Sequence, residues 1–139
     1  MAKSYSASLV DIPRITDPRG NLSFIQYPSV VPFSMKRVYW IYDIPTDSER
    51  SGRALFETDE FIVALSGSFD VVVERNYDDK TTFHLNCPYR GLYVPAGSWR
   101  VIRNFASNSV ALVLASEIFH EEDYVRDYEQ FKRFKAYPK

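Results

Sequence analysis

Histidine and cysteine are scarce in this chain. Of 139 residues, only His84 and His120 are histidines and only Cys87 is a cysteine. A single cysteine excludes an internal disulfide and fits a reducing compartment. Cys87 precedes Pro88 with nothing to pair with it as a nucleophile site, so it reads as a small, half-buried residue. Long apolar runs are also missing. No segment approaches the roughly 20 apolar residues that a membrane helix needs. The opening stretch MAKSYSASLVDIPR holds no run suited to a signal peptide. Neither sign of charge is in excess: 17 Lys and Arg face 18 Asp and Glu, for a net charge of −1. That balance leaves no general attraction to nucleic acid or to an anionic membrane. A soluble, cytoplasmic protein is expected. No linker, repeat or low-complexity segment divides the sequence, so residues 1–139 are read as one domain.

Aromatic residues are plentiful. Ten Tyr, ten Phe and two Trp bring the aromatic share to 16%, within a hydrophobic content of 45%. A chain of this length buries roughly two-thirds of its unfolded surface, and aromatics favour strands or stacking surfaces. Strand patterns then dominate. LVDIPRI is short and apolar, and NLSFIQY alternates after the turn DPRG. In KRVYWIY, Arg37, Tyr39 and Ile41 share one face and Val38, Trp40 and Tyr42 the other. DIPTDSERSGR reads as a polar loop. EFIVALSG and SFDVVVERNY read as a strand pair around Ser66-Gly67-Ser68. NYDDKTT is a turn, and TTFHLN, GLYVPAG, SWRVIRNF and SVALVLASEIF follow as strands. Strands separated by turns about every 8–12 residues predict an all-β sandwich or barrel. The C-terminus differs: Tyr124, Tyr128 and Phe131 are spaced like one helix face, with Glu121, Glu122 and Asp123 near its start.

Two spaced motifs sharpen the fold. Glu60 is followed after six residues by Gly67, and counting back from Glu60 marks Ala54 and Phe56. PAGSWRVIRN places Pro95, Gly97, Arg100 and Asn104 in a second frame. Together these resemble the paired motifs of a jelly-roll barrel of the cupin type. There, a His-x-His pair would stand at Ala54 and Phe56, and another histidine at Arg100. The expected fold is therefore an all-β jelly-roll (cupin) barrel with a short C-terminal helix. Imidazoles on one strand face could hold a metal or move protons. Alanine and phenylalanine do neither, and a permanently cationic arginine repels a metal. No catalytic metal and no cofactor are expected.

KRVYWIY, GLYVPAGSW, LVLASEIFHEEDYVRDYEQF and the early DPRGNLSFIQ narrow the resemblance. Over nearly the whole chain they resemble the dTDP-4-keto-6-deoxyglucose 3,4-ketoisomerases of deoxysugar biosynthesis. The resemblance implies a homodimeric barrel with strand exchange and a dTDP-hexose in its mouth. It also implies metal-free movement of a keto group between C3 and C4 through an enediol, with histidines as acid and base. The family's Arg-Gly-aromatic-His-x-His-Lys stretch falls on Ser51, Gly52, Arg53, Ala54, Leu55, Phe56 and Glu57, where only the glycine matches. Tyr39 matches a pocket tyrosine, Arg37 the arginine before it, and Arg19 the arginine of the early turn. Some relatives resemble this chain in carrying arginine at the position of Arg100.

The substrate-binding set implied by the resemblance and by guanidinium–phosphate pairing is Arg19, Arg37, Tyr39 and Arg100. Glu60 and Tyr39 are the candidates for acid–base work, with Glu57 behind them; Glu60 is alternatively a structural carboxylate. Arg100 and Arg103 lie three apart on a strand, so only one points inward, and Arg100 is the choice. Arg53 could add a cation to the mouth but reads first as a solvated loop residue, Phe56 as filler for a histidine's space, His84 as an exposed strand residue and His120 as a helix-start residue. Two functions stand side by side. One is a nucleotide-sugar ketoisomerase relying on a non-histidine base. The other is a non-catalytic cupin that binds a sugar nucleotide or pairs with an active paralogue.

Overall fold

Alternating side chains of two facing sheets form the core of this protein. The computed structural model describes residues 6–45, 47–75 and 79–136. One antiparallel sheet runs in the order β1 (Ser8–Asp11), β9 (Arg90–Val94), β6 (Glu60–Ser66), β11 (Val110–Ala115), β4 (Arg37–Ile41). The other runs β12 (Tyr124–Val125), β5 (Arg50–Leu55), β10 (Trp99–Arg103), β7 (Phe69–Glu74), β8 (Lys80–Leu85). Among the described residues, β2 (Arg14–Asp17) and β3 (Gly20–Ser23) pair only with each other. Period-two alternation sends Ile62, Ala64, Phe69, Val71, Val73, Leu92, Val94, Ile102, Ala111 and Val113 into the space between the sheets. This is the all-β, cupin-like jelly roll expected from the motif spacing, with one short C-terminal helix, α1 (Tyr128–Ala136).

Several local expectations are corrected. EFIVALSG and SFDVVVERNY are strands but not partners: β6 and β7 lie in different sheets. The chain crosses between them at Gly67, whose φ of +72° suits glycine. The Ser68 N–H donates to Ser109 Oγ at 3.1 Å, tying this crossing to the one between β10 and β11. The loop read at DIPTDSERSGR ends too late, because Arg50–Leu55 form β5 against β10 and β12. Ser, Gly and Arg hid its alternation. NLSFIQY contributes to a strand only as far as Ser23. The turn read at NYDDKTT begins on residues 76–78, outside the described residues, and Lys80–Thr82 already belong to β8.

The C-terminal helix begins later than its aromatic spacing suggests. Tyr124 belongs to β12, opposite Leu55, and residues 121–123 form a 3-10 turn. Asp127 starts the helix, its Oδ1 accepting the Glu129 N–H at 3.0 Å. Tyr128 and Phe131 do face the sheet, packing with Trp99, Ala54 and Val125 on its outer surface. Gly52 permits this contact, since a Cβ there would lie 2.5 Å from the Trp99 ring. The Tyr128 hydroxyl sits 2.8 and 2.9 Å from the two oxygens of buried Glu74. Among the described residues, no helix is long and apolar enough to cross a membrane.

His84 is exposed on β8, directly opposite Asp70 on β7. Its Nδ1 lies 2.6 Å from Asp70 Oδ1, and Asn104 Nδ2 donates to Oδ2 at 3.0 Å. The His84 ring holds the Asp70 carboxyl below its ordinary value of 3.8, with Asn104 and Arg103 adding to the effect. A depressed carboxyl stabilises the fold above its unfolded pKa and ceases to do so as the pH falls through the lower folded value. Asp70→Asn is therefore expected to cost about 0.5 kcal/mol at pH 7 and nothing at about pH 2. Thermal unfolding at the two pH values checks this, and an equal loss at both contradicts it.

Candidate functional site

β4 ends the first sheet and β12 ends the second, which leaves two strand edges to be joined by side chains. Two arginine–tyrosine contacts do so. Arg37 Nη2 on β4 donates to Tyr124 Oη on β12 at 3.3 Å. Arg53 Nη2 on β5 donates to Tyr39 Oη on β4 at 2.6 Å. The alternation read in KRVYWIY holds: Arg37, Tyr39 and Ile41 turn inward, while Val38, Trp40 and Tyr42 are exposed.

Tyr39 leads directly to a buried carboxylate. Its hydroxyl donates to Glu60 Oε2 at 2.6 Å, and Arg100 Nη1 donates to Oε1 at 2.8 Å. Glu60 is 0% exposed and Arg100 1%. Strand parity explains the arginine: Arg100 and Ile102 point between the sheets, while Trp99 packs under α1 and Arg103 is exposed. The structure thus brings together Glu60, Tyr39, Arg37 and Arg100 of the expected set. Arg19 stands apart on the β2–β3 hairpin, its side chain 90% exposed and paired with Asp17.

The charges in this cluster are mutually adjusted. Burial pushes the Arg100 guanidinium below its ordinary pKa, while Glu60 pulls it back up. Burial, then the Glu60 carboxylate, lift the Tyr39 phenol far above its usual range, with Arg53 opposing. Tyr39 accordingly keeps its proton at neutral pH and donates it in the hydrogen bond to Glu60. Burial works against the charge on Arg53, but Tyr39, Glu60 and Tyr124 outweigh it and keep the guanidinium protonated. Donors outnumber acceptors here. Arg100 Nε and Nη2, Arg53 Nε and Arg37 Nε are buried without an acceptor among the described residues. Each such donor costs about 1–3 kcal/mol unless water or a ligand oxygen meets it.

A cavity of about 520 Å³ opens on the outside of this cluster, lined by Glu49, Arg50, Gly52, Arg53 and Arg126. Three guanidiniums around one opening favour an anion. Arg126 also lies over the Tyr124 ring, 4.5 Å from its centroid, and pairs with Glu121. Among the described residues, no group of three or more His, Cys, Asp or Glu is arranged to hold a metal ion.

The counted motif frame and the strand face disagree at β5. Ala54 and Phe56 do not share the inner surface: Ala54 packs outward with Trp99, and Phe56, beyond the strand end, is 38% exposed. Phe56 therefore does not fill the interior. The inward side chain is Arg53, on β5 and bonded to Tyr39, where a solvated loop residue is the first expectation from the sequence. The β5–β10 register shifts between Arg100 and Ile102, a bulge that residue counting cannot detect. The β5–β6 connection is then fixed by Asp123, whose spacing suggested only a place near the helix start. Asp123 Oδ1 accepts the Glu57 N–H at 2.7 Å, its carbonyl accepts the Phe56 N–H at 2.9 Å, and its carboxylate meets the Thr58 hydroxyl. His120 is exposed just before this segment.

Breaking a buried ion pair from one side leaves the other charge unanswered. Glu60→Leu or Arg100→Met alone is expected to cost about 3–5 kcal/mol, and Tyr39→Phe about 1 kcal/mol. The double Glu60→Leu/Arg100→Met protein is expected to be more stable than either single variant. Urea unfolding measures all four, and single variants with unchanged midpoints would contradict the pairing.

Comparison with known proteins supplies the family. The model "FdtA: WxcM-like, C-terminal" matches residues 5–136. The TDP-4-oxo-6-deoxy-α-D-glucose-3,4-oxoisomerase of Aneurinibacillus thermoaerophilus is 36% identical over 129 residues, covering 92% of this chain and 91% of its own. The crystal structure of a 3,4-ketoisomerase from Helicobacter canadensis superimposes with a TM-score of 0.90 at 32% identity, covering 94% of this chain and 97% of that one. A sugar 3,4-ketoisomerase from Thermoanaerobacterium thermosaccharolyticum, in complex with TDP, gives 0.90 at 31% identity, covering 95% and 96%. With the matched region spanning almost all of the sequence and these folds superimposing over it, the chain belongs to the FdtA/WxcM-like family of dTDP-sugar 3,4-ketoisomerases.

Proposed function

We propose that this protein binds a TDP-linked 4-keto-6-deoxyhexose at the gap between the two sheet edges. The diphosphate lies against Arg50, Arg53 and Arg126, and the hexose reaches toward Tyr39, Arg37 and Arg100. The observation that carries this reading is the arginine-lined cavity adjoining the Tyr39–Glu60 pair. The substrate named for the Aneurinibacillus enzyme and the TDP bound by the Thermoanaerobacterium enzyme agree with it. The setting is deoxysugar biosynthesis in the cytoplasm.

Moving a keto group from C4 to C3 requires removal of the C3 proton and protonation of O4. The resulting enediol then loses the O3 proton and gains one at C4. No histidine is among the residues gathered here, so a Tyr39–Glu60 relay carries these transfers: Tyr39 takes the C3 and later the O3 proton as it passes its own to Glu60, and gives one back at O4 and then at C4 as Glu60 resupplies it. Acid or base catalysis by one well-placed group contributes about 10²–10⁴ in rate. Without imidazoles, turnover is slow. A second reading, a binding cupin without chemistry, is favoured by one observation: both Glu60 oxygens are already engaged, by Tyr39 and Arg100.

The working unit is a homodimer with strand exchange, and Arg19 acts at the partner's site. The β2–β3 hairpin supports this, because an isolated two-stranded sheet is marginal in water and Ile15 and Leu22 on it are exposed. Exposed Val38 and Trp40 on β4, with Tyr42 just beyond it, offer a surface for the second copy.

Deuterium entry at C3 of TDP-4-keto-6-deoxyglucose, followed by NMR in heavy water, tests the chemistry. Exchange above the protein-free background, reduced at least tenfold by Tyr39→Phe, is expected. Binding of TDP without any exchange selects the second reading. Arg126→Ala is expected to weaken TDP about tenfold, and failure of TDP to bind the unaltered protein contradicts both readings. Sedimentation of the same protein should give a two-chain mass, whereas a monomer contradicts the strand exchange.

A further inference from the structure

Arg53 belongs to both halves of the site. It lines the cavity with Arg50 and Arg126, and its Nη2 donates to Tyr39 Oη at 2.6 Å. Its Cζ lies 5.9 Å from the Tyr39 ring centroid and 5.8 Å from that of Tyr124, so it is held between the two tyrosines at the sheet edges. Its buried Nε has no acceptor among the described residues. Tyr39, the only link from Arg53 to Glu60 in this chain of bonds, accepts from Arg53 and donates to Glu60.

We propose that Arg53 is a positioning residue that couples anion occupancy of the cavity to Tyr39. The inference rests on the reading of that cavity as the diphosphate site. A guanidinium binds phosphate oxygens through charge-assisted, often bidentate hydrogen bonds, which are stronger than its bond to a neutral phenol. A diphosphate entering beside Arg50 and Arg126 therefore draws the Arg53 fork toward itself. Tyr39 keeps its bond to Glu60 and loses the one from Arg53. The lone pair released on Tyr39 Oη then accepts a hydroxyl of the hexose that follows the diphosphate into the gap. Diphosphate and sugar thus bind with positive coupling, and the coupling passes through one side chain. Arg50 and Arg126 have no such route, because no bond joins either of them to Tyr39 among the described contacts.

The test places 3-fluorotyrosine at position 39 of the full chain and follows its ¹⁹F resonance while inorganic pyrophosphate is added. Calorimetry on the same samples measures binding. With Arg53 present, the resonance is expected to move and to saturate with the binding isotherm, although no sugar is there. In Arg53→Met, pyrophosphate still binds through Arg50 and Arg126, about tenfold more weakly, and the resonance stays in place. Arg53→Gln, which keeps an amide donor beside Tyr39 without the charge, serves if the methionine protein does not fold, with the same expectation. Pyrophosphate that binds without moving the resonance overturns the coupling and leaves the cavity's assignment standing. So does a shift of equal size in the Arg53 variants. Failure of both pyrophosphate and TDP to bind overturns the cavity's assignment and the coupling together.

Discussion

A carboxylate shut away from water must have its charge answered inside the protein, and Glu60 sets that requirement at the first residue of β6. Arg100 from the opposite sheet answers one oxygen and Tyr39 from the sheet edge the other. Three strands from two sheets are thereby fixed relative to one another at one end of an otherwise hydrocarbon core. The Coulombic gain of such a pair roughly offsets the desolvation of its members. Its value to the fold therefore lies in orientation more than in net stability. It holds Tyr39 at one angle, facing the gap where the two sheets part.

That gap explains the remaining polar architecture. Sheets of five strands each leave edges, and here the edges are joined by arginine and tyrosine side chains instead of backbone hydrogen bonds. Backbone pairing would have closed the sandwich. Side-chain pairing leaves the edges held by exchangeable arginine–tyrosine hydrogen bonds. Arg37 and Arg53 each carry a buried Nε with no acceptor among the described residues, and Arg53 lines a cavity bearing two more arginines. Asp123 and the C-terminal helix work from outside, fixing the β5–β6 connection and the outer face of β5 so that Arg53 projects inward.

The sequence carried the fold well and the site in part. Strict alternation in KRVYWIY placed Arg37 and Tyr39 on the inner face, and the three-residue offset between Arg100 and Arg103 separated the buried cation from the exposed one. Both depend only on strand parity, which a linear sequence preserves. For Arg53 parity could not decide between a cation at the mouth and a solvated loop residue. Its strand contains Ser and Gly, which hide the alternation, and a bulge against β10 breaks the count from Glu60. The strand pair read around Gly67 failed because a turn signal does not say whether the next strand pairs or crosses to the other sheet. Asp123 and Arg126 lie far along the chain from the residues they meet, and nothing local marks their partners.

We propose the gap between β4 and β5 as a TDP-sugar site governed by arginine and tyrosine. A crystal structure of the full chain with TDP-4-keto-6-deoxyglucose examines it most directly. The account predicts diphosphate oxygens about 2.7–2.9 Å from the guanidiniums of Arg50, Arg53 and Arg126, with the hexose against Tyr39. A nucleotide seated elsewhere, for example in the groove beside Trp99 and Tyr128 on the outer face, with the gap unchanged, would contradict it.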